Sequence, residues 1–146
     1  MTIPDTSAAR LAHAPAADSA AVSLRLLHLE DQVTDAELLL SRLKRLGYRV
    51  DCRRVWTEQR FAEALATFAP ELILSDYSMP AFDGLSALDL ARRLVPGVPF
   101  VFISGSIDAA QVAAALEAGA AAYLSKNDLD PLAAVLRRVL GTPRTT

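Results

Sequence analysis

From Leu24 onward the chain alternates short apolar runs with longer amphipathic stretches, and this rhythm leaves few folds open to it. The runs at 24–29, 49–55, 71–75, 99–104 and 121–124 read as five strands. The first, third and fourth are almost wholly apolar, as strands are when helices cover both faces of a sheet. These three are therefore expected at its centre. Helical spacing fills 34–46, 58–68, 85–94, 108–118 and 129–140. Asp108 and Asp128 stand where they can accept the unpaired amides at the starts of the last two helices, while Gly47, Gly119 and Gly141 follow helix ends. Leu129, Leu132, Leu136, Val139 and Leu140 give the last helix a core-facing stripe. Five alternating strand and helix units, joined by right-handed crossovers, make an open, doubly wound, mostly parallel α/β sheet.

A chain of 146 residues, 52% of them hydrophobic, supplies one such domain. Residues 1–22 are rich in Ala, Pro and Ser without strand or helix patterning, and are expected to be a disordered leader. That leaves 23–141 as the domain and 142–146 as a short tail. The net charge of -2 offers no broad basic field for duplex nucleic acid or an anionic membrane, so neither is an expected partner. No run approaches the roughly 18 apolar residues of a membrane span. Asp5, Arg10 and Asp18 interrupt the stretch where a signal peptide would be apolar, and a cytoplasmic location is expected. The lone Cys52 forms no internal disulfide and reads as a buried thiol.

Sheets of this kind bind ligands at the carboxyl ends of their strands. The first strand ends in Glu30 and Asp31, the third in Asp76, the fourth in Ser104 and the fifth near Lys126. Three carboxylates brought together repel one another unless a cation joins them, and all-oxygen ligands suit Mg²⁺. Magnesium commonly completes its shell with phosphate oxygens, so phosphoryl chemistry is indicated. Ser104 and Lys126 could then bind phosphoryl oxygens while the Asp76 carboxylate attacks phosphorus. Lys126 is one of only two lysines beside 13 arginines, which suggests a compact charge is wanted at that strand end.

In order along the chain, Glu30-Asp31, the segment DYSMPAFDG from Asp76, ISGS at Ser104 and YLSK at Tyr123 to Lys126 resemble a two-component response-regulator receiver domain. The resemblance covers about 24–140 and implies a flavodoxin-like five-stranded parallel sheet, order 2-1-3-4-5, with five helices. It implies that Asp76 accepts a phosphoryl group from a sensor histidine kinase or a histidine phosphotransfer protein. Mg²⁺ would be held by Asp31, Asp76 and the backbone carbonyl of Ser78, with Glu30 acting directly or through water. Ser104 and Lys126 would bind the phosphoryl oxygens. Ser104 would then draw inward, and Tyr123 would turn into the vacated space, changing a face read by a downstream protein. That face, at the fourth helix, fifth strand and fifth helix, also serves dimerisation in some members. Such a protein is a signalling phosphoacceptor rather than an enzyme acting on other substrates. Asn127 follows Lys126 where many relatives carry a cis proline.

Two alternatives stay open at this point. A Mg²⁺-dependent phosphohydrolase with an aspartyl nucleophile would want a second acid where Ser78 stands. A receiver-fold interaction module detached from a hybrid kinase would not need the full set of site residues. Other polar residues have plainer readings. His28, inside an apolar strand, reads as a structural histidine. Asp83-Gly84 reads as a turn and helix cap, and Trp56 as packing at a strand-to-helix junction.

Overall fold

The computed structural model describes residues 21–106 and 108–141; the expected tail, and the expected leader up to residue 20, lie outside them. Five strands alternate with five helices: β1 (Val22–Leu29), α1 (Val33–Arg45), β2 (Tyr48–Val55), α2 (Glu58–Thr67), β3 (Leu72–Ser75), α3 (Gly84–Leu94), β4 (Phe100–Ser104), α4 (Ala109–Glu117), β5 (Ala122–Ser125) and α5 (Leu132–Leu140). The sheet is parallel throughout and ordered β2-β1-β3-β4-β5, the flavodoxin-like arrangement.

Alternating side chains of the central strands explain why their sequences read as unbroken apolar runs. Leu27, Ile73 and Phe102 point to a layer completed by Phe61 and Leu65 of α2, Leu88 of α3 and Ala115 of α4. Their strand neighbours Leu26, Leu72 and Val101 point the other way, to Leu39 and Leu43 of α1 and Leu132 and Leu136 of α5. Edge strand β2 instead alternates exposed and partly buried positions between its buried ends, Tyr48 and Val55. The chain leaves β1 toward β2 on one side and takes up β3 on the other. A crevice therefore opens above the adjacent carboxyl ends of β1 and β3.

Caps follow the sequence in most places. Asp108 accepts from the amides of Ala110 at 2.8 Å and Gln111 at 3.1 Å, and Asp83 from that of Ser86 at 3.0 Å. Gly47 and Gly119 follow helix ends with φ of 100° and 112°, the left-handed region that favours glycine. Gly84 carries a further constraint: a Cβ there would lie 2.7 Å from the Tyr77 carbonyl oxygen and 2.8 Å from the Phe102 ring. Its place is set by close packing beneath the site as well as by the turn.

Two expectations need correction. The last helix starts at Leu132, not Leu129, as Pro131 disfavours helical geometry in the residue before it; Asp128 accepts from the amide of Asp130 and caps a turn instead. The first strand reaches back to Val22, whose amide donates to the Gly47 carbonyl at 2.9 Å. Trp56 stands at the junction of β2 and α2, 43% exposed, with the Arg54 guanidinium stacked 4.7 Å from its ring.

His28 is buried in β1, and its Nδ1 has no hydrogen-bond partner among the described residues. Burial, reinforced by the charges of Lys126 and Arg54, pulls its pKa from the ordinary 6.5 down to about 3. Between those values the unfolded chain binds a proton that the folded protein refuses, so stability falls as pH falls through that window. At pH 5 the loss from this one side chain amounts to about 2 kcal/mol relative to neutral pH. Urea unfolding at pH 7 and pH 5 is expected to show a drop smaller by about that amount in a His28→Leu variant; equal drops would assign the acid sensitivity elsewhere.

Candidate functional site

The parallel ladder continues one residue past the strand ends, and this aligns the polar groups. The amide of Glu30 donates to the Val55 carbonyl at 3.0 Å, that of Asp76 to Leu29 at 2.9 Å, and that of Lys126 to Ser104 at 2.7 Å. The side chains of Glu30, Asp76 and Lys126 thus leave the ends of β1, β3 and β5 at one level. Lys126 Nζ lies 2.8 Å from Glu30 Oε1, 3.1 Å from Asp76 Oδ2 and 2.7 Å from Asp35 Oδ2. One carboxylate oxygen each from Glu30, Asp31 and Asp76 lies within 4.8 Å of the others.

That acidic cluster fits a hard divalent cation. Ligands of an octahedral Mg²⁺ lie about 2.9 Å apart when adjacent and about 4.2 Å when opposite, so the three oxygens would draw together to share one. Burial holds the Glu30 carboxyl above its ordinary value; the Lys126 contact and the Gln32 amide oppose that shift, and the Asp76 charge adds to it. For Lys126, burial favours the neutral amine, but the bonds to Asp35, Glu30 and Asp76 outweigh it and hold the group above its usual range. The ammonium is therefore kept charged. Asp76 Oδ1 accepts from the Ser78 amide at 3.3 Å, and its side chain retains 11% exposure at the mouth of the crevice.

Of the residues singled out from the sequence, Glu30, Asp31, Asp76 and Lys126 come together. Ser104 is buried at the end of β4, where its Oγ accepts from the Ser106 amide at 3.4 Å. Ser78 is exposed and touches the site through its amide. Tyr123 is half-buried on β5, its hydroxyl 3.4 Å from Gln111 Oε1 of α4. Its ring packs 5.5 Å from Tyr77 and 5.8 Å from Phe102, and Tyr77 meets Phe102 edge-on at 5.1 Å. A continuous aromatic contact therefore runs from the residue after Asp76 to Tyr123. The peptide bond between Lys126 and Asn127 is trans, and Asn127 donates through its side-chain amide to the Gly105 carbonyl at 3.4 Å.

Two participants escaped sequence reasoning. Asp35 reaches Lys126 from the first turn of α1, a position its spacing four residues past Asp31 could have suggested. Tyr77 could have been noticed as the aromatic immediately following Asp76. An open groove of about 730 Å³ between β2 and α2, lined by Arg53, Arg54, Trp56 and Arg60, lies outside the carboxylate cluster. Arg54 links it to the cluster by donating to the Glu30 carbonyl at 2.9 Å.

Residues 26–137 match the family model of the response regulator receiver domain. The chain is 34% identical over 95 residues to the DNA-binding transcriptional regulator NtrC of Escherichia coli, covering 64% of this chain and 20% of the relative. It is 30% identical over 135 residues to the sensory/regulatory protein RpfC of Xanthomonas campestris, covering 85% of this chain and 18% of the relative. The tetrathionate response regulatory protein TtrR of Salmonella typhimurium is 31% identical over 120 residues, covering 81% of this chain and 56% of the relative. The chain thus spans about a fifth of the length of the first two relatives and little over half of the third. A response regulator of Chloroflexus aurantiacus superimposes with a TM-score of 0.73 at 26% identity, covering 82% of this chain and 99% of that one. A CheY-like receiver domain of Methanospirillum hungatei shares the fold with a TM-score of 0.67 at 24% identity, covering 80% and 93%. No helix among the described residues is long and apolar enough to cross a membrane.

Proposed function

The chain belongs to the response regulator receiver domain family, and on that premise we propose that Asp76 accepts a phosphoryl group from a phosphohistidine of a sensor histidine kinase or a histidine phosphotransfer protein. The observation that carries the reading is the placement of the Asp76 carboxylate between the Lys126 ammonium and the Glu30-Asp31 pair. An Asp76 oxygen forms the new bond to phosphorus as the bond to the histidine nitrogen breaks. Lys126 and the Ser104 hydroxyl donate to the phosphoryl oxygens and offset their charge. Asp31, Asp76 and the Ser78 carbonyl, with Glu30 directly or through water, would hold Mg²⁺, which when bound supplies charge neutralisation at the phosphoryl oxygens.

The new phosphoryl charge draws the Ser104 hydroxyl toward it. Tyr123, released from its contact with Gln111, turns inward along the Tyr77 and Phe102 rings, and the face formed by α4, β5 and α5 changes for a downstream protein or a second copy of the chain. The protein works as a cytoplasmic signalling phosphoacceptor, catalysing only its own phosphorylation and dephosphorylation.

Incubation with acetyl phosphate and Mg²⁺ is expected to add one phosphoryl group, read by intact-protein mass. Chelation of the metal with EDTA is expected to suppress that uptake. Uptake that proceeds equally with and without the metal would refute the proposed chemistry, and repeated turnover of phosphate esters would favour a phosphohydrolase.

A further inference from the structure

Lys126 offers three N–H donors, and all three meet carboxylates. Two of those partners have other work in phosphoryl transfer as proposed above: Glu30 faces the metal and Asp76 becomes bonded to phosphorus. Asp35 has neither task, yet it makes the shortest of the three contacts, at 2.7 Å. It stands on α1, which is anchored to the core by buried Leu39 and Leu43, so its backbone is fixed relative to the crevice. A lysine side chain is long and rotamer-rich, and without a lasting partner it would lose its aim once its other contacts were drawn away.

We infer that Asp35 is a positioning residue for phosphoryl transfer: it holds the Lys126 ammonium at the mouth of the crevice while Glu30 and Asp76 engage the metal and the phosphoryl group. Lys126 then exchanges one partner, Asp76 Oδ2, for a phosphoryl oxygen and retains Asp35. The inference rests on Asp76 as phosphoacceptor. A purely structural role is also available to an acid in a first helical turn, which complements the helix dipole. The two roles separate experimentally.

The test compares wild type with Asp35→Asn, Asp35→Ala and Asp35→Glu for the rate of phosphorylation by acetyl phosphate, the half-saturating Mg²⁺ concentration and the unfolding midpoint. The expected result is a rate lower by about tenfold in Asp35→Asn and Asp35→Ala. Their half-saturating Mg²⁺ should change by less than the rate does, and Asp35→Glu should recover most of the rate. Wild-type rates in Asp35→Asn and Asp35→Ala would overturn the inference while leaving Asp76 as phosphoacceptor. A rate loss that merely follows the unfolding midpoint across the variants would also overturn it, in favour of the helix role. Absence of labelling in wild type would overturn the reading of the site, and this inference with it.

Discussion

An Asp76→Asn protein is expected to take up no phosphoryl group under conditions in which wild type takes up one. The substitution keeps the size of the side chain and an oxygen able to accept from Lys126, so the geometry around it should persist. What it removes is the anionic oxygen that can attack phosphorus and leave an acyl phosphate. The effect is loss of a covalent product rather than a graded slowing. Removing one of three carboxylates whose oxygens lie within 4.8 Å also relieves repulsion, so the variant is expected to unfold no more easily than wild type without metal. Intact mass reports the uptake. Hydroxylamine distinguishes its chemistry, since it cleaves an acyl phosphate and leaves a serine phosphate ester from Ser78 or Ser104 in place. A wild-type level of hydroxylamine-sensitive label on Asp76→Asn would remove Asp76 from the mechanism.

Replacing Lys126 by Met is expected to damage both chemistry and folding. The methionine fills similar space but donates nothing to the phosphoryl oxygens; loss of one such preorganised donor slows a reaction by about 100-fold to 1000-fold. It also strands Glu30, whose side chain is 2% exposed, with the Gln32 amide as the remaining donor to its carboxylate among the described residues. Breaking a buried pair from one side costs about 3 kcal/mol or more. Glu30 should respond by holding its proton to higher pH, because burial already pushes it that way. Added Mg²⁺ should restore part of the lost stability, and should bind more tightly than to wild type because a competing positive charge has gone. Urea unfolding with and without Mg²⁺ measures the second effect and the phosphorylation rate the first. Near-wild-type values of both would show that Lys126 is an ordinary surface lysine.

The layers of the fold were legible because neighbouring residues such as Leu26 and Leu27, or Leu72 and Ile73, are apolar for different cores on opposite faces of the sheet. Glu30, Asp31, Asp76 and Lys126 were legible because parallel topology brings strand ends together without any knowledge of side-chain rotamers. Asp35 was not, since its reach to Lys126 depends on how α1 sits over the crevice, 91 residues away in sequence. The start of α5 was obscured because the apolar stripe already begins at Leu129, which remains packed against the core although the helix starts only after Pro131. The first two residues of β1, Val22 and Ser23, were hidden by the Ala-rich stretch that runs into them.

The most direct test of the account is to locate the phosphoryl group itself. Wild-type protein phosphorylated by acetyl phosphate and Mg²⁺ is treated with borohydride, which reduces an aspartyl phosphate to homoserine, and the peptides are then sequenced by mass spectrometry. Homoserine at position 76, and at no other acid, is the expected result. An unreduced Asp76 beside a modified Glu30, Asp31 or Asp35, or a phosphate retained on Ser78 or Ser104, would contradict the account.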